Sequence, residues 1–151
     1  MRDFEDHESE LWRTLMRLTG ALPRLLENDL VRAAGLTLSE FAVLLVLTEA
    51  GDAGRRMNDL ASAGGMSPSR ATRVVAELER RGLAEKSRSL IDARGSVAVA
   101  TPAGRKALRA AYPIQVDRAR EILFDHLTPA EITALADALS RLLRQVTSAG
   151  R

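Results

Sequence analysis

The sequence predicts a mainly α, α+β fold in which several helices carry one short β-hairpin. Three observations support this. Apolar residues recur at three- and four-residue spacing along most of the chain. Cap signals stand before residues 38, 68, 102 and 129, each a Ser or Thr followed by Pro or, three positions on, by Glu. One stretch, "LIDARGSVAVATPAGR" at 90–105, breaks the helical spacing and alternates instead.

The first helix is expected over 8–34, with Leu11, Leu15, Leu18, Leu22, Leu25 and Leu26 on one face and Gly35 at its end. Pro23 is expected to kink or interrupt it, because proline lacks the donor N–H. Thr37 and Glu40 have the spacing of a capping box, flanked by Leu36 and Phe41 as a hydrophobic staple. The apolar run "FAVLLVLTEA" then makes a helix buried on most sides, stopped by Gly51. After the loop "GDAGRR", Asn58 is expected to cap a short helix closed by Gly64 and Gly65.

Ser67 caps the next helix, with Pro68 in its first turn. Ala71, Val74, Val75 and Leu78 form its apolar face, and Gly82 ends it with Leu83 as the accompanying contact. "LAEKSR" and "SVAVA", the latter with Val97 and Val99 on one face, read as two strands around a turn eased by Gly95. Thr101 and Pro102 open a long helix that Pro113 is expected to interrupt. Thr128, Pro129 and Glu131 start the last helix, where Ile132, Leu135, Leu139, Leu142 and Val146 form a short heptad seam suited to another helix.

Composition narrows the function. The 151 residues, 46% apolar but only 3% aromatic, suit one soluble domain or intertwined unit with a core of leucine, valine and alanine. With no cysteine, disulfides and thiol redox sensing are excluded, and the isolated His7 and His126 give no support to a metal site. The acidic start "MRDFEDHESE" is unlike a secretory signal, and no apolar run approaches the roughly 20 residues that span a bilayer. A cytoplasmic location away from membranes is expected. There is no phosphate-cradling Gly-rich loop and no recognisable nucleophile–base pair, so neither catalysis nor a cofactor is expected.

The net charge of +2 is unevenly spread. Residues 55–106 hold eleven Lys/Arg against five Asp/Glu, while the rest holds eleven against fifteen. A basic centre between acidic flanks points to a polyanion-binding module on a less basic scaffold. Within it, Ser67, Pro68, Ser69, Arg70, Thr72 and Arg73 crowd the first two turns of one helix, opposite its apolar face. Short hydroxyl side chains let a backbone come close, and arginine can pair bidentately with guanine. Glu77 stands four residues from both Arg73 and Arg81, so part of this charge is expected to pair within the helix.

A helix, a glycine turn, a polar-fronted helix and a basic hairpin follow one another here. "GLAEKSRSLIDARGSVAVATPAGR", Gly82 to Arg105, resembles the wing of the multiple antibiotic resistance regulator (MarR) family of winged helix-turn-helix repressors. The matching positions are Gly82 and Leu83 at the helix end, Asp92 and Arg94 at the wing tip, and Thr101 and Gly104 at the next helix. "GLTLSEFAVLLVL" and "LTPAEITALADAL" resemble the family's second and last helices, so the likeness covers nearly the whole chain. Two positions depart from the pattern: Ala100 replaces the usual leucine, and Lys86 stands where many members have arginine.

The resemblance implies a winged helix-turn-helix DNA-binding domain at 37–101 and an intertwined dimerisation region from 1–36 and 102–151. It further implies a homodimeric transcriptional repressor that binds a pseudo-palindromic operator in double-stranded DNA and is released by a small aromatic or anionic effector. The DNA-binding set is then Ser67, Pro68, Ser69, Arg70, Thr72, Arg73, Lys86, Arg88, Asp92 and Arg94, with Arg94 probing the minor groove and Asp92 ordering the loop. Leu11, Leu15 and the seam from Ile132 to Val146 fit dimerisation, and Trp12 and Met16 are candidate effector contacts. The competing reading is a winged-helix module that binds protein and not DNA.

Overall fold

The computed structural model describes residues 3–88 and 96–149. Its main elements are helices α1 (Asp6–Ala34) and α2 (Leu38–Ala50), strand β1 (Arg55–Arg56), helices α3 (Met57–Ala63) and α4 (Pro68–Arg80), strands β2 (Ala84–Arg88) and β3 (Ser96–Ala100), and helices α5 (Pro102–Ile122) and α6 (Pro129–Ala149). One-turn 3-10 segments at Gly51–Ala53 and Phe124–His126 precede β1 and α6. The chain forms two compact units, residues 1–115 and 116–151. Among the described residues, no single helix is long and apolar enough to cross a membrane.

In the first unit α1 begins at Asp6 and runs through Pro23 without a break, contrary to the expected interruption. A lone proline removes one N–H donor, and the hydrogen-bonded turns on either side of it hold the helix together. The box at α2 forms as expected. Thr37 Oγ1 accepts the Glu40 N–H at 3.2 Å, and Glu40 Oε2 accepts the Thr37 N–H at 2.8 Å. Phe41, Val43, Leu44 and Leu47 of α2 are buried among Leu30, Leu36, Leu60, Val75, Leu78 and Leu108, which places α2 at the centre of the core. Phe41 also stacks on Tyr112 of α5, ring centroids 6.4 Å apart.

α3 starts at Met57 with Arg56 as its N-cap, earlier than a cap at Asn58 requires. The reason lies in β1: Arg56 leaves the strand already extended (φ −65°, ψ 145°), so the helix begins where strand pairing stops. α4 follows its signals. Ser67 Oγ accepts the Arg70 N–H at 3.3 Å, Pro68 occupies the first turn, and Ala71, Val75 and Leu78 are buried. Its end is a Schellman turn, with the Leu83 N–H on Leu78 O at 2.8 Å and the Gly82 N–H on Glu79 O at 2.9 Å.

The three strands form one antiparallel sheet in the order β1-β3-β2, with Ala84 opposite Ala100 and Lys86 opposite Ala98. The expected hairpin is therefore joined by a third strand, β1, where the sequence suggests only a loop; two residues are too few to show alternation. The alternation of "SVAVA" is real, but the buried side is Ala98 and Ala100, while Val97 and Val99 are half-buried. Small side chains on the inner face let the sheet backbone lie close over the helices.

Thr101 fastens the sheet to the end of α4. Its N–H donates to Leu83 O (3.1 Å), its hydroxyl donates to Gly82 O (2.8 Å), and Oγ1 accepts the Gly104 N–H (3.0 Å). Gly104 must lack a side chain, because a Cβ there would collide with the Leu83 carbonyl oxygen. α5 then runs unbroken past Pro113, a second expected interruption that does not occur.

In the second unit, α6 opens with the box expected from its sequence. Glu131 Oε2 accepts from the Thr128 N–H (2.8 Å) and hydroxyl (2.7 Å), which holds the Glu131 carboxyl below the usual carboxylate range.

Candidate nucleic-acid interface

The first two turns of α4 present a continuous polar surface. Ser67, Pro68, Ser69, Arg70, Thr72 and Arg73 are all exposed, backed by the buried Ala71 and Val75 that fix the helix to the core. The hydroxyls are partly engaged locally: Ser67 Oγ and Ser69 Oγ lie 3.2 Å apart, and the Thr72 hydroxyl donates to Pro68 O at 3.0 Å. Arg70 Nη2 donates to Ser39 Oγ of α2 at 2.8 Å, which draws its guanidinium along the protein surface. Arg73 has no ion-pair or hydrogen-bond partner among the described residues. Both arginines border an open cleft of about 470 Å³, shared with Glu27, Thr37, Ser39, Glu40, Val74 and Glu77.

At the other end of α4 the arginines are taken up by partners within the protein. Arg80 Nε donates to Glu77 Oε2 at 2.9 Å, and this hydrogen bond holds the Glu77 carboxyl below its ordinary value. The intrahelical pairing expected of Glu77 therefore goes to Arg80, three residues on, and not to Arg73 or Arg81. Arg81 reaches back to Glu40 Oε1 (2.9 Å) and to Gly35 O (3.0 Å), tying the end of α4 to the α1–α2 junction. Glu40, buried with its side chain 6% exposed, thus serves both the α2 cap and this tie.

The sheet stands directly after α4. Lys86 is exposed on β2, and the backbone of Arg88 pairs with Ser96. Asp92, Arg94 and the turn glycine Gly95 lie outside the described residues. On the helical flanks, Leu11, Trp12 and Met16 are exposed and Leu15 is half-buried. On α6, Leu135, Leu139, Leu142 and Val146 are exposed and Ile132 is half-buried.

Comparison with known proteins gives this arrangement a family. A sequence profile of the MarR family matches residues 34–95. AbsC, a MarR family transcriptional regulator from Streptomyces coelicolor, is 31% identical, with 98% of this chain and 99% of that one covered and a TM-score of 0.89. The chain belongs to the MarR family. Sco3205, a MarR family transcriptional regulator from the same organism solved in complex with DNA, is 30% identical over 94% of this chain and 89% of its own, with a TM-score of 0.88. CouR from Rhodococcus jostii RHA1, solved bound to p-coumaroyl-CoA, is 25% identical over 86% and 89%, with a TM-score of 0.77. No curated protein sequence matches the chain.

Within this MarR-family winged helix, the structure gathers the polar front of α4 on one exposed surface. It leaves Trp12 stacked on Phe4, ring centroids 6.0 Å apart, and neither Trp12 nor Met16 lines the cleft beside α4. Sequence reasoning misses Glu40 and Ser39 as the partners that hold Arg81 and Arg70. Their only sequence signal is a glutamate already explained as a cap. It also counts Arg55 and Arg56 in the basic centre but leaves them in a loop, whereas they form a strand of the wing sheet.

Proposed function

We propose that this MarR-family protein is a homodimeric, sequence-specific DNA-binding repressor acting in the cytoplasm, a regulator and not an enzyme. The observation that carries the reading is the exposed N-terminal half of α4. Six neighbouring polar or first-turn residues there are backed by a buried apolar face, and Arg73 has no partner among the described residues. A helix held this way can lay its first turns in the major groove, with Arg73 toward base edges and the Ser67 and Ser69 hydroxyls close to phosphate. Arg70, braced by Ser39, positions against the backbone; Lys86, Arg88 and Arg94 carry the wing to the neighbouring minor groove, with Asp92 ordering its tip. Sco3205 supports the partner, since that relative was solved with DNA.

Dimerisation is assigned to 1–36 and 102–151, and reading to 37–101. Two copies place two α4 helices on half-sites about one helical turn apart. Release by a small aromatic or anionic ligand fits the p-coumaroyl-CoA bound to CouR, with the exposed Trp12 and Met16 as first candidates for contact. Footprinting on the duplex that the wild type selects from a random pool tests the reading. Arg73→Ala is expected to cost about 1–3 kcal/mol and relax preference at one position per half-site. Equal weakening on every sequence reassigns Arg73 to phosphate, and no protected sequence at all favours a protein-binding module.

A further inference from the structure

Arg55 and Arg56 form one of the two edge strands of the wing sheet. Both are exposed, and neither side chain has an ion-pair or hydrogen-bond partner among the described residues. The acids near them do not neutralise them. Asp52 faces Arg105 at 3.6 Å, and Asp59, in the first turn of α3, pairs with neither.

Register decides where the two arginines stand. β3 runs away from the wing tip and β1 is antiparallel to it, so β1 runs toward the tip. Arg56 is opposite Val97, one residue from the start of β3, and Arg55 is opposite Ala98. Lys86 flanks Ala98 on the other side, so Arg55, Ala98 and Lys86 form one row across the sheet, about 10 Å long at ordinary strand spacing. Gly54 makes this approach possible. Its φ is +64°, and a Cβ there would collide with the Ala98 carbonyl oxygen and the Val97 and Val99 side chains.

We propose that Arg55 and Arg56 are a separate phosphate-gripping strip, holding the DNA backbone beside the groove that the wing enters. The inference rests on the reading of α4 and the wing as a DNA-binding surface. Two guanidinium groups are left without a protein partner at the tip end of the sheet, Arg55 in register with Lys86 and Arg56 one residue nearer the tip on the opposite face of the strand. Each can meet a phosphate, and such contacts carry no sequence preference. The competing role is protective, because cations on an open sheet edge also discourage pairing with another chain.

Salt-titrated binding separates the two roles. Wild type, the double variant Arg55→Ala/Arg56→Ala, the double variant Arg55→Lys/Arg56→Lys and Arg73→Ala are compared on the selected duplex and on an unrelated one of equal length. The alanine pair is expected to weaken both duplexes by the same factor and to flatten the log–log salt slope by roughly 0.9 for each phosphate it no longer neutralises. The lysine pair should restore the slope, since a phosphate accepts lysine as a point charge. An unchanged slope for the alanine pair, with the wild type still selective, overturns the proposal and leaves edge protection, which sedimentation would reveal as self-association of that variant. A wild type without selectivity removes the α4 reading itself, and the strip falls with it.

Discussion

Helices α2 and α6 draw on much the same residues and end in opposite surroundings. Phe41, Val43, Leu44 and Leu47 of α2 are buried, whereas Leu135, Leu139, Leu142, Leu143 and Val146 of α6 are 45% to 71% exposed. The patterns explain the contrast. α2 is apolar on nearly every side and can only lie inside a core. α6 is apolar along one seam and needs one neighbour. Full burial of a leucine is worth about 1.5–3 kcal/mol, so the seam leaves several such contributions unused in a single chain. A second copy offering the same seam is the partner that the dimer reading supplies.

The contrast can be broken from either side. The largest effect is expected from Leu139→Asp, which puts a charge in the seam. Sedimentation should show the dimer lost at micromolar concentration while circular dichroism shows helix retained; a variant that sediments as wild type would clear the seam of this role. Leu44→Ala should do the reverse, lowering stability by about 2–5 kcal/mol in denaturant unfolding through the cavity it leaves, with the folded fraction still dimeric.

Arg81→Ala should cost about 1–3 kcal/mol, because Glu40 loses the partner that accompanies its burial. Glu40→Gln should be milder, since glutamine can still complete the cap with Thr37. Thr37→Ala is expected to have the smallest effect, about 1 kcal/mol, through a single missing cap bond. Thermal melts of the three, ranked against Leu44→Ala, show whether the polar junction or the apolar core dominates around α2.

The parts legible in the sequence are those whose chemistry is local. Thr37 with Glu40, Ser67 with Pro68, and Thr128 with Glu131 settle helix starts within three residues, and each forms as expected. The exposed front of α4 is equally legible, because its members are sequence neighbours. What escapes depends on distance. Arg81 and Glu40 meet across 41 positions, and β1 exists only because β3 returns beside it. Both prolines mislead for a related reason: the cost of one missing donor, weighed alone, ignores the helix on either side. The valines of β3 mislead because hydrophobicity favours them inside, while close approach of the sheet favours alanine.

The central claim is that a dimer closed through the apolar seam presents two α4 helices to one stretch of DNA. Sedimentation equilibrium of the protein with its selected duplex tests this most directly. The account predicts two chains per duplex for the wild type, with half-sites about one helical turn apart, and operator affinity lost in Leu139→Asp although its α4 is untouched. One chain per duplex, or undiminished affinity from a monomeric Leu139→Asp, would contradict it.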